Sequence, residues 1–174
     1  MIVGNKSRFA IEYELADQCG GEWLFGKICY WIGSKRVGDY ESGTSLRDVF
    51  FQMTHLVGDC GNRDGGILCM LDVSQAFLRL NKFFYSEEVI NESDFEDILP
   101  EIPARFNILI PVDIFDNCRI FLFNCGENEI VLFSKANGKL ETVRLRSGEC
   151  DQALIDFYEL LKNLYNDKTQ HEPS

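Results

Sequence analysis

Apolar and polar residues alternate along residues 9–15, where Phe, Ile, Tyr and Leu occupy every second position. This period is typical of a strand with one buried face and one solvated face. After the glycine pair at 20–21, Glu22–Ile32 is aromatic and β-branched on both faces, which predicts a central strand covered on both sides. A short strand over Val37–Tyr40 would complete an N-terminal antiparallel meander.

A helix is predicted directly after this meander, because apolar residues recur at helical spacing over 46–57. Thr44 or Ser45 can cap its first turn, and Gly58 can end its last turn. The polar, glycine-rich segment 58–66 matches no phosphate-binding motif and predicts a flexible loop.

Two further helices are predicted from apolar stripes. Asp72 and Gln75 resemble a capping box at the start of the second helix. The buried stripe expected on it consists of Val73, Ala76, Phe77, Leu80, Phe83 and Phe84. The third helix is expected over about Glu149–Asn166, with a flexible tail over 168–174.

The second half of the chain returns to strand patterns. The expected strands are Phe106–Asp113, Arg119–Cys125, Glu129–Lys135 and Leu140–Arg146. The dipeptide Asn137-Gly138 predicts a tight hairpin, because both central residues of that turn need positive φ. Strands in two groups, with helices between and after them, predict an α+β fold: a largely antiparallel sheet with about three helices packed on it, in a single domain over 1–167.

The connector Ser86–Ala104 contains acidic residues and neither lysine nor arginine. Pro100 and Pro103 interrupt it, so at most one short helix is expected near Asp94–Leu99. Such a charge run is commonly a solvated linker. It can also present a negative field that steers a basic partner, such as a nuclease.

Composition narrows the class of protein. Hydrophobic residues form 45% of the chain and aromatic residues 13%, enough to build a core without metals or crosslinks. The net charge of -11 repels phosphate backbones and anionic lipids, so neither nucleic acid nor a membrane is an expected partner. With no export signal and no long apolar run, a cytoplasmic location is expected.

The cysteine pattern predicts neither a disulfide framework nor a zinc site. The seven cysteines form an odd set without a C-x-x-C pair and are interpreted as reduced core thiols. They are Cys19, Cys29, Cys60, Cys69, Cys118, Cys125 and Cys150.

Candidate chemistry is sparse. His171 lies in the predicted tail, and His55 lies about 180° from Leu46 on the solvent side of the first helix. A Cys-His-Asp arrangement would require a thiol such as Cys60 to reach His55 across the loop. The acidic stretch around Asp59 could hold calcium but lacks the glutamate of an EF-hand. We therefore expect no catalytic residue, no cofactor and no metal.

One aromatic residue points outward. Phe51 lies about 140° from Leu46, on the polar face of the first helix. It is interpreted either as an exposed binding anchor or as a residue covered by a loop or by the last helix. The candidate partner-binding residues are Asp48, Phe51, His55, Glu87, Glu88, Glu92, Asp94, Glu96 and Asp97.

Three segments carry a family resemblance. They are 7–14 (SRFAIEYE), 21–33 (GEWLFGKICYWIG) and 37–48 (VGDYESGTSLRD). Together they resemble the immunity protein 42 family of bacterial polymorphic toxin systems, most strongly over the first 57 residues. Within the motifs, Trp23 and Trp31 are interpreted as core residues from their side-chain preferences.

The resemblance implies an α+β protein, encoded beside a secreted toxin, that protects the producing cell by binding that toxin and has no catalytic residues. The function expected is direct, stoichiometric neutralisation of the cognate toxin domain. Two alternatives remain from other classes: a small cytosolic hydrolase that uses clustered carboxylates, and an adaptor subunit of a protein complex.

Overall fold

The computed structural model describes residues 1–86, 103–135 and 138–169. In these residues the chain forms eight strands in two antiparallel sheets and three α-helices, so the predicted α+β class is confirmed. The strands are β1 (Ile2–Gly4), β2 (Phe9–Leu15), β3 (Phe25–Ile32), β4 (Lys35–Val37), β5 (Thr44–Ser45), β6 (Cys118–Cys125), β7 (Asn128–Lys135) and β8 (Glu141–Arg146). The helices are α1 (Leu46–Gly58), α2 (Val73–Tyr85) and α3 (Glu149–Thr169).

The first sheet has five strands in the order β1-β2-β3-β4, with β5 also paired to β3. The central position predicted for the second strand is therefore confirmed. The start predicted for this strand, Glu22, is wrong, because Gly21–Trp23 forms a 3-10 turn and Leu24 has a φ of 51°. The next strand is Lys35–Val37 instead of Val37–Tyr40, and β1 had no sequence prediction.

The second sheet has the order β6-β7-β8, and the antiparallel pairing predicted between its last two strands is confirmed. The tight Asn-Gly turn is wrong, because Gly138 has no positive φ and β7 ends at Lys135 while β8 begins only at Glu141. Asn137 lies outside the described residues. The strand predicted over Phe106–Asp113 is wrong: this segment makes one isolated bridge, from Asn107 to Phe121. Pro111 cannot donate to a ladder, and Val112 N bonds back to Ile110 O, so strand pairing stops there.

One large core joins the inner faces of both sheets to α1 and α3. A second, smaller core lies on the other face of the second sheet, under α2. Buried residues of the large core include Ile11, Tyr13, Ile28, Tyr30, Leu46, Met53, Leu122, Val131, Leu154 and Phe157. Since α1 and α3 pack on the inner face of the first sheet and α2 packs on the second sheet, no helix of the described part covers the outer face of the first sheet.

The N-terminal caps predicted for α1 and α2 are confirmed. Ser45 Oγ accepts a hydrogen bond from Asp48 N at 3.2 Å, and Asp72 Oδ1 accepts one from Gln75 N at 2.9 Å. The buried stripe predicted on α2 was too wide, because only Ala76 and Leu80 are buried on this helix. α3 continues past its predicted end to Thr169, and residues 170–174 of the predicted tail are not among those described.

The interpretation of all seven cysteines as reduced thiols is wrong for one pair. Cys69 and Cys125 form a disulfide across 56 positions of sequence, with their Cα atoms 5.6 Å apart. It links the 3-10 turn Gly66–Met70 to the end of β6. Sequence spacing could not reveal this pair, since disulfide formation depends on the distance between the two residues in the fold.

The loop predicted as flexible after α1 is anchored by a buried ion pair. Arg63 is fully buried and donates to Asp151 Oδ1, to Leu56 O at 2.7 Å and to Arg105 O at 2.8 Å. Asp151 Oδ2 accepts a further bond from Gly61 N at 2.7 Å. These bonds compensate for burying the two charges and tie the loop to the start of α3.

Candidate protein-binding surface

The solvent side of α1 carries the three candidate residues that the structure describes, and Asp48, Phe51 and His55 are all exposed. Phe51 is 50% exposed, while its ring meets that of Tyr165 on α3 edge-on, with centroids 5.4 Å apart. α3 thus supports one side of the Phe51 ring, and the other side remains in solvent, while the role of Phe51 as a binding anchor stays a prediction.

Trp23 lies beside the start of this helix and is 44% exposed, so its interpretation as a core residue is wrong. The guanidinium carbon of Arg47 lies 3.4 Å from the centre of the Trp23 ring, a cation–π contact. Glu22 lies 3.4 Å from the same guanidinium. Trp31, the other tryptophan, is half-buried on the outer face of the first sheet.

Phe25 extends this surface toward the sheet. It is 47% exposed and stacks on Trp23 with ring centroids 6.3 Å apart and planes 8° apart. Arg47 is 18% exposed and lies one turn from Phe51 on the same helix face, so a row of side chains runs from Phe25 through Trp23 and Arg47 to Phe51 and Tyr165. We call this row the aromatic strip; it consists of Phe25, Trp23, Arg47, Phe51 and Tyr165.

Strand parity could have revealed Phe25. It shares the parity of Lys27, the one charged residue in 23–32, whereas Ile28 and Tyr30 have the opposite parity and are fully buried. Trp23 precedes the strand, so strand parity could not have placed it. The face that carries Lys27 therefore had to reach solvent. The prediction of a strand covered on both sides overlooked this charge.

A cavity of about 520 Å³ opens beside Phe25. Its lining includes Glu14, Glu41 and Lys27. The hydroxyl of Tyr40 donates to Glu14 Oε2 at 3.4 Å. Burial, followed by the nearby Glu14 carboxylate, raises the pKa of Tyr40 to about 12, so this hydroxyl stays neutral and acts as a donor.

Farther along the outer face, Trp31 is held by a polar contact. Its Nε1 donates to Glu12 Oε2 at 2.6 Å, and Lys6 Nζ lies 2.9 Å from the same oxygen and 4.3 Å from the Trp31 ring centre. The hydrogen bond from Lys6 lowers the pKa of Glu12, with a further contribution from Trp31. This outer face therefore presents fixed aromatic and charged side chains to solvent.

The described residues contain no group of three or more histidine, cysteine or acidic side chains placed to hold a metal ion. No hydrogen bond or ion pair joins the His55 ring to a thiol or carboxylate in this part of the chain. Burial raises the pKa of Cys29 to about 12 and that of Cys60 to about 11, so both thiols are protonated at neutral pH. Such thiols are poor nucleophiles.

The remaining candidate residues belong to the acidic connector. Glu87, Glu88, Glu92, Asp94, Glu96 and Asp97 all lie outside the described residues. The helices that are described are too short or too polar for any of them to span a bilayer.

Comparison with known proteins identifies the family. No curated protein matches the sequence significantly. CdiI from Burkholderia dolosa AUO158 has a similar fold, with a TM-score of 0.71 and 16% sequence identity over 92% of this chain and 99% of that chain. The family model for immunity protein 42 matches residues 1–160. The chain therefore belongs to the immunity protein 42 family and is an immunity protein that neutralises a toxin.

Proposed function

We propose that this chain neutralises its cognate toxin by direct, stoichiometric binding through the aromatic strip. One observation carries the proposal: Trp23, Phe25 and Phe51 are 44%, 47% and 50% exposed and belong to one row of neighbouring side chains. Large aromatic side chains supply most of the energy at many protein interfaces, and exposed rows of them are uncommon on monomers. A toxin surface laid over the strip would bury all three.

The charged residues around the strip support an interface with a polar rim. Asp48 and Glu22 flank Arg47, at 3.4 Å each, and His55 lies one turn beyond Phe51 on α1. Charged side chains at the edge of an interface select the partner and its orientation. In this arrangement Asp48 and His55 contact the toxin at the rim, and Phe51 contacts it nearer the centre.

The toxin we propose is basic, for example a nuclease domain. The chain carries a net charge of -11, and its sequence concentrates acidic residues over 87–97. A field of this sign accelerates encounter with a basic protein. The acidic connector then steers the toxin, while the aromatic strip holds it.

We further propose that the chain acts in the cytoplasm and without catalysis. Five described cysteines are free, as is usual in a reducing compartment, where we expect Cys69 and Cys125 to be present as two thiols as well. The protonated thiols argue against Cys-His catalysis. The family match favours a binding protein over the alternative of a hydrolase with clustered carboxylates. The adaptor alternative has no observation in its favour.

Co-expression with the toxin domain from the adjoining reading frame tests the proposal. We expect the two proteins to co-purify as a 1:1 complex, measured by light scattering, and the chain to restore growth of cells that produce the toxin. A toxin domain from an unrelated system is the control and should not bind. Failure of the cognate pair both to bind and to protect would rule the proposal out.

A further inference from the structure

The cavity beside Phe25 contains a carboxylate that lacks a cationic partner. Glu14 is exposed, and in the described ranges no lysine or arginine nitrogen lies within 4.0 Å of its oxygens. Its one polar contact there is the Tyr40 hydroxyl at 3.4 Å. Glu14 therefore presents a carboxylate without a cationic partner to whatever enters the cavity.

Two cationic side chains of this region, Lys27 and Arg36, form ion pairs with Glu41 and not with Glu14. Lys27 is directly opposite Glu14 in the pairing of β2 with β3, yet its Nζ lies 3.2 Å from Glu41 Oε2. Arg36 Nη1 also approaches Glu41, at 3.6 Å. Glu41 is thus compensated by two cations, whereas Glu14 is not compensated.

The walls of the cavity suit a cation with an apolar stem. Phe25 offers an exposed ring beside Glu14, and its other neighbour is Trp23. An arginine or lysine side chain can stack on such a ring and pair with a carboxylate at the same time. A volume of about 520 Å³ is ample for one such side chain.

We propose that this cavity receives a cationic side chain, arginine or lysine, of the toxin, which stacks on Phe25 and pairs with Glu14. This inference rests on the proposed function, since it deepens the account of the same surface. It makes the cavity a specificity pocket at the sheet end of the aromatic strip. A toxin with a neutral residue at the corresponding position would bind less tightly.

Substitution of Glu14 tests the pocket, with the toxin domain from the adjoining reading frame as the probe. We expect Glu14→Gln to raise the Kd about tenfold and Glu14→Lys to raise it about a hundredfold, measured by calorimetry. Glu127→Gln, an exposed glutamate on the turn between β6 and β7, makes the same change in net charge and should leave the Kd unchanged. Thermal melting checks that each variant is folded.

A charge swap identifies the partner residue. Replacing the toxin's lysines and arginines one at a time by glutamate should yield one variant that binds Glu14→Lys more tightly than it binds the wild-type chain. The inference is overturned if both Glu14 variants bind like wild type, if Glu127→Gln weakens binding equally, or if Glu14→Lys binds more tightly, which would indicate an acidic toxin residue. If the wild-type chain does not bind at all, the proposed function fails, and this inference fails with it.

Discussion

The guanidinium of Arg47 lies 3.4 Å from the centre of the Trp23 ring and holds that exposed indole against the first turn of α1. Glu22 and Asp48 each lie 3.4 Å from the same guanidinium and restrict its position. The ring is therefore fixed before any partner arrives. An anchor that is ordered in the free protein loses less conformational entropy on binding.

Removing an aromatic ring from the strip should lower the affinity for the toxin more than it lowers the stability of the fold. We expect Trp23→Ala and Phe51→Ala each to cost about 2 kcal/mol of binding free energy, roughly thirtyfold in Kd. Leu78→Ala removes another exposed apolar side chain, 63% accessible on α2, and should not change the Kd. Calorimetry gives the Kd, and an equal effect of all three variants would exclude the strip as the interface.

The excess of acidic residues should raise the rate constant for association with a basic toxin. With a basic toxin, we expect the rate constant to fall steeply as salt is raised from about 0.01 to 0.15 M, because screening shortens the reach of the field. Replacing the six acidic residues at 87, 88, 92, 94, 96 and 97 by their amides should lower the rate and leave the dissociation rate nearly unchanged. Stopped-flow measurements separate the two, and a salt-independent association rate would argue against steering.

The ion pair between Arg63 and Asp151 is a sensitive point for stability. Asp151→Asn leaves the buried guanidinium without its counter-charge, so we expect a loss of about 3–5 kcal/mol in the free energy of unfolding, measured with urea. Asp156→Asn, on the exposed side of α3, is the matched control and should change stability by less than about 0.5 kcal/mol. A loss of similar size in both variants would contradict the role of the buried pair.

Glu149 should make stability depend on pH in the acid range. The hydrogen bond from Arg8 Nε, at 2.5 Å, lowers the pKa of Glu149 in the folded chain. Its contribution is therefore present above the unfolded value of about 4.3 and is lost as the pH falls through the lower folded pKa. Relative to Glu149→Gln, we expect the wild-type chain to be more stable at pH 6 and to lose that advantage toward pH 2 to 3. Urea unfolding across this range is the measurement, and a difference independent of pH would refute the assignment.

The disulfide between Cys69 and Cys125 should add stability without serving toxin binding. We expect Cys69→Ser with Cys125→Ser to lower the free energy of unfolding by about 2–4 kcal/mol under oxidising conditions. Under reducing conditions the two proteins should unfold at nearly the same urea concentration. Protection of cells should be equal, because none of the elements that carry the strip contains Cys69 or Cys125. Loss of protection in the double variant would show that the crosslinked region takes part.

The pairing of β7 with β8, the three helices and the N-terminal caps of α1 and α2 could be predicted because their causes lie within a few residues of sequence. Ser45 and Asp72 each bond to an amide three positions ahead, and the apolar stripe of α1 follows from its own spacing. Phe51 was found in the same way, by its angle around the helix. The last helix was one of the covers considered for Phe51, but Tyr165 could not be identified, because that contact crosses more than a hundred residues of chain.

The amino-acid sequence alone determined the class of fold, the helix caps, the net charge and the family resemblance. Each of these depends on the order of residues within short segments or on the composition of the chain. Only the tertiary structure decided how the strands divide into two sheets and which cysteines form the disulfide. It also decided that Arg63 is buried in an ion pair with Asp151, and that Trp23 is exposed at the surface in contact with Arg47. Each of these depends on the distance in space between residues far apart in the chain. The periodicity of a single segment carries no information about that distance.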